Sequence, residues 1–186
     1  MFTKYFKGVK TVLKKSVLLA IVLIVALSCV YAASVSADLK ASPYSLQFIQ
    51  RDDATFLSKY GYGFETGIRL NLKEAFCLGI NVKYSSYSYN ESKDNYQVLN
   101  ALMPYVGCLL TINDKWTMTT DFGVGIQERI LGDMRNFFVG LNLSLGVGYA
   151  VSEKIALTLG TDFGLCYQSE SRDCSFDTML GARFTL

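Results

Sequence analysis

Seven charged residues occupy one phase of a long alternating pattern: Glu65, Arg69, Lys83, Asp121, Asp162, Asp177 and Arg183, with Arg129 near the end of its segment. Their immediate neighbours are mostly apolar or threonine. Side chains two residues apart on a strand project from one face, so these groups are expected to share a surface. Two chemistries are open to them. Asp162 and Asp177 fall on successive segments and could act as a carboxylate pair in general acid–base work. Alternatively, charges of both signs held close together neutralise one another, because one charge alone out of water is prohibitive. Four acids face four bases in this set, a balance of zero, which favours structural ion pairing over a gate or a binding site.

Other catalytic schemes are poorly supplied. The chain has no histidine, which removes Ser-His-Asp and Cys-His catalysis and every histidine-ligated metal site. Beyond residue 37 the cysteines are Cys77, Cys108, Cys166 and Cys174, and none has CxxC spacing. No cofactor or metal is therefore expected. Cys166 and Cys174 flank one connection and could bridge it, in a compartment that permits disulfides. Cys77 and Cys108 are expected on opposite faces of adjacent strands, and hence unbridged.

The charge distribution divides the chain in two. Residues 1–37 contain five lysines and no acid, whereas residues 38–186 contain 13 basic and 16 acidic groups. A net of −3 in the second part gives no basic face for nucleic acid. The first part reads as an export signal: a basic stretch to Lys15, an apolar run from Val17 to about Val30, then YAASVSA. About 14 apolar residues are short of the ~20 that a spanning helix needs. Val35 and Ala37 place small residues where a signal peptidase reads, so cleavage is expected after Ala37, with Ala32 as the alternative and a lipoprotein-type Cys29 as a weaker one. The domain boundaries are thus 1–37 and 38–186.

The charged set is positioned by strands. Period-two alternation marks eight segments: 43–50, 60–72, 76–86, 97–112, 116–128, 137–151, 155–168 and 175–186. Pro104 is expected to disturb the fourth. Three connections are tight and polar, at Lys73-Glu74, Asn113–Lys115 and Ser152–Lys154, and the four between them are longer. Tight turns at one end and longer loops at the other suit an up-and-down transmembrane barrel, with the tight turns on the periplasmic side.

Glycine decides which face is inside. Of the 14 glycines after residue 37, only Gly132 lies in a connection, and the other 13 share the phase of the charged residues. Glycine weakens a water-facing strand but fits where side chains crowd inside a narrow barrel. The apolar face is then outermost, which requires lipid and a closed sheet. Tyr60, Tyr62, Tyr84 and Tyr167 gather toward one end and Phe76, Trp116 and Tyr149 toward the other, like two interfacial girdles.

Pro104-Tyr105-Val106-Gly107 and the terminal Gly181-Ala182-Arg183-Phe184-Thr185-Leu186, within a frame of eight alternating strands, resemble small bacterial outer-membrane barrels of the OmpX/OmpA type. The resemblance covers roughly residues 41–186, and Leu186 stands where the usual last residue is Phe. It implies an all-β, eight-stranded antiparallel barrel in outer-membrane lipid. Its terminal strand would be read by the outer-membrane assembly machinery. The function expected is non-enzymatic, either envelope-structural or surface-interacting through an unidentified ligand. A small pore is one alternative. A soluble secreted barrel binding an apolar ligand is another. Tyr87–Tyr96 is polar and aromatic, as adhesive loops are.

Overall fold

The computed structural model describes residues 32–51, 54–58, 60–72, 75–88, 96–131, 134–168 and 171–186. The segment read as basic and apolar leader therefore lies outside the described residues, as do Lys73-Glu74, Gly132 and the Asn90-Glu91-Ser92 loop.

Among the described residues nine strands follow in order: β1 (Ala32–Arg51), β2 (Ala54–Leu57), β3 (Tyr60–Leu72), β4 (Phe76–Ser88), β5 (Tyr96–Thr111), β6 (Trp116–Leu131), β7 (Met134–Ala150), β8 (Ile155–Gln168) and β9 (Ser171–Thr185). Every neighbouring pair is antiparallel, and β1 also pairs with β9, so the sheet closes on itself. β2 and β3 pair with successive stretches of β1 and form one course of the wall, which makes the closed barrel eight-stranded.

Closure requires stagger. A row of register partners can be followed from Ser34 through Asn71, Cys77, Gly107, Asp121, Ser144, Asp162 and Asp177. It comes back to β1 at Ser45, eleven residues beyond its start. That row is the lumen side of the wall, and it carries three of the expected charged residues.

Two irregularities depart from the sequence expectation. β1 begins at Ala32 rather than near residue 43, and residues 54–57 form a strand where a loop was expected. β1 is broken near its middle, at Pro43. Between Ala41 and Tyr44 the pairing with β9 slips by one residue, so the inward series Ser36, Asp38, Lys40, Ser42 resumes as Ser45, Gln47, Ile49. A proline has no N–H for the ladder, and a bulge accommodates it. On the partner course, Ser58 answers this break: it donates its N–H to the Gln47 carbonyl at 2.9 Å, and its Oγ accepts from the Gln47 N–H at 2.8 Å. Pro104, by contrast, leaves the register unchanged; the ladder to β6 only skips Met103 and Pro104.

The tight turns have local causes. Asn113 Oδ1 accepts from the N–H groups of Lys115 (2.9 Å) and Trp116 (3.0 Å), the side-chain turn that asparagine favours. Ala75, with φ of 70°, ends the turn before β4 in the left-handed region.

Burial runs inside out. Phe64, Ile68, Val106, Phe122, Val139, Leu157 and Leu180 are exposed, Val139 by 63%, while Glu65, Arg69, Asp162 and Asp177 are buried. Aromatic pairs brace the outer surface, with Trp116 and Tyr149 centroids 4.9 Å apart at the tight-turn end and Phe64 and Tyr84 5.2 Å apart nearer the other.

Candidate functional site

The candidate site is the lumen. All seven charged residues expected there are buried in it, and Arg129 joins them near the loop end. Alternation puts each one inward, and the stagger of the strands decides which meets which. Three levels result.

The level nearest the tight turns is built on two arginines. Arg69 Nη1 and Nη2 donate to Asp121 Oδ1 and Oδ2 at 3.0 and 2.5 Å, a two-pronged bond of the kind guanidinium and carboxylate favour. Arg69 Nε stands 3.5 Å from Asp38 Oδ2, and Nη1 also donates to Cys77 Sγ at 2.8 Å. The Tyr105 ring lies 5.2 Å from the same guanidinium, within cation–π range. Arg183 Nε and Nη2 donate to Asp38 Oδ1 and Oδ2 at 2.7 and 3.3 Å. Two acids and two bases thus close a neutral layer. Gly107 is essential to it: a Cβ there would land on the Asp121 carboxylate.

Midway along the barrel, Lys83 Nζ donates to both Asp162 Oδ2 (3.2 Å) and Asp177 Oδ2 (2.5 Å). Those two aspartates are register partners on β8 and β9. The pairing foreseen between them exists, but as two acceptors of one ammonium. Beside them Lys40 Nζ donates to Glu65 Oε1 at 2.8 Å, and Asn81 Nδ2 donates to the same oxygen at 3.1 Å.

Toward the loop end Arg129 pairs with Asp173, and its guanidinium carbon sits 4.9 Å from the centre of the Phe138 ring. Tyr87, Leu99, Phe138 and Cys166 pack into an apolar cluster at this level. Tyr87 was expected in the adhesive loop; it is instead an inward residue of β4, 0% exposed, its hydroxyl 3.5 Å from Asp177 Oδ1.

The bridge that Cys166 and Cys174 could have formed is absent. All four described cysteines are free. Cys166 pairs in register with Asp173 and points inward, while Cys174 pairs with Leu165 and is exposed on the outer surface. Side chains on opposite faces of a sheet cannot be joined without moving backbone. Cys77 and Cys108 lie on opposite faces, as expected, since Cys77 is the register partner of Gly107.

The zero charge balance also changes. Asp38, Lys40 and Asp173 belong to the lumen in addition to the expected set, so the described inward groups are six acids and five bases, a net of −1. Asp38 and Lys40 precede the point where the first strand was expected to start, although their alternation with Leu39 and Ala41 was a signal for them. Asp173 sat in an expected loop.

Free space differs between the levels: a hollow of about 340 Å³ lies at the loop end beside Phe48, Gln50, Cys166 and Asp173, and the middle is tighter. A cavity of about 20 Å³ lies among Lys40, Gly146, Gly148, Gly160, Asp162 and Arg183. That is room for about one water, which needs ~10–15 Å³ by this measure.

No family model matches the chain, and no curated protein matches it. Solved structures do. Neisserial surface protein A superposes with a TM-score of 0.64 at 14% identity, over 83% of this chain and 99% of that one. Ail, the attachment invasion locus protein of Yersinia pestis, gives 0.53 at 13%, over 81% and 99%. The same Ail in complex with the heparin analogue sucrose octasulfate gives 0.51 at 13%, over 81% and 99%. At these identities the likeness is one of fold: this chain shares with those proteins a closed, eight-stranded antiparallel barrel.

Proposed function

We propose that this barrel is a non-enzymatic protein of the bacterial outer membrane, closed to solutes, with an envelope-structural or surface-interaction role. One observation carries the reading. The wall is apolar outward and charged inward, with the inward charges engaged in ion pairs. An outer surface bearing Phe64, Ile68, Phe122, Val139 and Leu157 is stable only in hydrocarbon, which speaks against a soluble ligand-binding barrel. Ion pairs across the lumen and an apolar cluster near the loops speak against a pore, and the cavity in the middle of the lumen has room for about one water. In place of a catalytic constellation there are carboxylates that already accept from lysine or arginine.

The test has two parts. The protein should fractionate with outer membranes, need detergent for extraction, and migrate differently on a denaturing gel before and after boiling. Purified and placed in planar bilayers, it should give no large steady conductance. A stable ion-selective channel would replace this reading with the pore.

A further inference from the structure

We infer that the mature chain begins at Ala33, the leader being removed by hydrolysis of the Ala32–Ala33 peptide bond. Water adds across that bond, leaving a carboxylate on Ala32 and a free amine on Ala33. The inference rests on the reading of the N-terminal segment as an export signal.

Small residues precede both candidate bonds, Val30 and Ala32 in one case and Val35 and Ala37 in the other, so the pattern that favoured Ala37 is also met at Ala32. The barrel does. Residues 34–37 form the closing seam on both sides. They pair with Asn71, Leu70, Arg69 and Ile68 of β3, and Ser36 and Ala37 also pair with Thr185 and Phe184 of β9. The Val35 carbonyl accepts from the Leu186 N–H at 2.9 Å, and Asn71 Nδ2 donates to Ser34 Oγ at 3.0 Å. Ser36 is fully buried in the lumen. Cleavage after Ala37 would strip these partners and leave two strand edges open beside Ile68 and Leu39, which face outward. An open edge at that depth has no water to satisfy it.

Charge points the same way. A cut after Ala37 would place an ammonium on Asp38, a residue 2% exposed whose carboxylate already takes Arg183 and Arg69. A third cation would enter a layer that is neutral without it, at the cost of burying an unpaired charge. After cleavage at Ala32 the amine lies at the strand end, near the row of Leu72 and the tight turn.

The full chain would be expressed with its own leader and its mature form purified from outer membranes for intact mass and N-terminal sequencing. A start at Ala33 is expected. A start at Asp38 would overturn the inference and leave the export reading standing, whereas a start at Met1 would overturn both. Pulse-labelling reads the processing step before folding matters. Ala32→Leu should accumulate uncut precursor, while Ala37→Leu should mature at Ala33 as the wild type does. The reverse pattern would sink the assignment.

Discussion

Removing the Asp121 carboxylate isolates a heavily engaged cation of the lumen, Arg69. Arg69 is 1% exposed and directs two of its donors to Asp121, at 3.0 and 2.5 Å. In Asp121→Ala its remaining anion is Asp38, at 3.5 Å and already bonded to Arg183. Stranding one member of a buried pair costs on the order of 3–5 kcal/mol. With a urea dependence of ~2 kcal/mol per molar for a chain of this size, the unfolding midpoint should fall by about 1.5–2.5 M. Unfolding in detergent micelles can be followed by the fluorescence of Trp116, the single tryptophan, which lies on the outer face of the same strand while Asp121 points into the lumen. Arg69→Met alone should cost a similar amount, since it strands Asp121. The double variant Arg69→Met/Asp121→Leu removes one charge of each sign and leaves Asp38 with Arg183. It should therefore be far more stable than the two single losses added together. A single-variant loss under ~0.5 kcal/mol, the range of ordinary surface substitutions, would refute the reasoning. So would additive losses in the double variant, since uncoupled sites add.

Lys83→Met should leave Asp162 and Asp177 facing each other without their shared ammonium and lower stability by at least as much as Asp121→Ala, measured in the same urea titration. A membrane-permeant maleimide should label Cys174 on the folded protein and reach Cys166 only after unfolding, and non-reducing gels should show no mobility change on reduction. In a cysteine-free background, a cysteine at Ser92 should react with an impermeant thiol reagent on intact cells and one at Glu153 should not; the opposite pattern would reverse the orientation.

Much of this architecture was legible in the sequence because period-two alternation survives wherever one face meets lipid and the other a crowded lumen. The segment 60–72 and the segment 155–168 coincide with β3 and β8. The first strand was read short for a physical reason: Ala32–Ala37 is rich in small residues, which suit both a peptidase and a tight barrel seam. Pro43 then shifts the alternation by one residue, so Ser45–Ile49 seemed unrelated to Ser36–Ser42. Eight of the charged lumen residues were recognisable one by one, whereas Asp38, Lys40 and Asp173 fell outside the segments read as strands, and the partners of all of them were hidden. Arg183 meets Asp38 and Lys83 meets Asp177 through the stagger of the whole wall, a quantity no local window contains. The possible disulfide was undecidable on the same ground, since Cys166 and Cys174 are close along the hairpin and opposite in facing.

The seam between β1 and β9 has a kinetic meaning. It joins the two ends of the domain, and Arg183 and Asp38 on either side are 145 residues apart in sequence. Contacts at such separation are reached late, because the loop entropy is lost before the pairing compensates it. Until the last strand arrives, β1 and β9 each present an unsatisfied edge and the half-formed wall exposes its ionic face. Hydrocarbon tolerates neither. Seam closure and entry into the bilayer must therefore be a single cooperative event, and a chain shortened within its final strand should stall outside the membrane rather than insert as a smaller barrel.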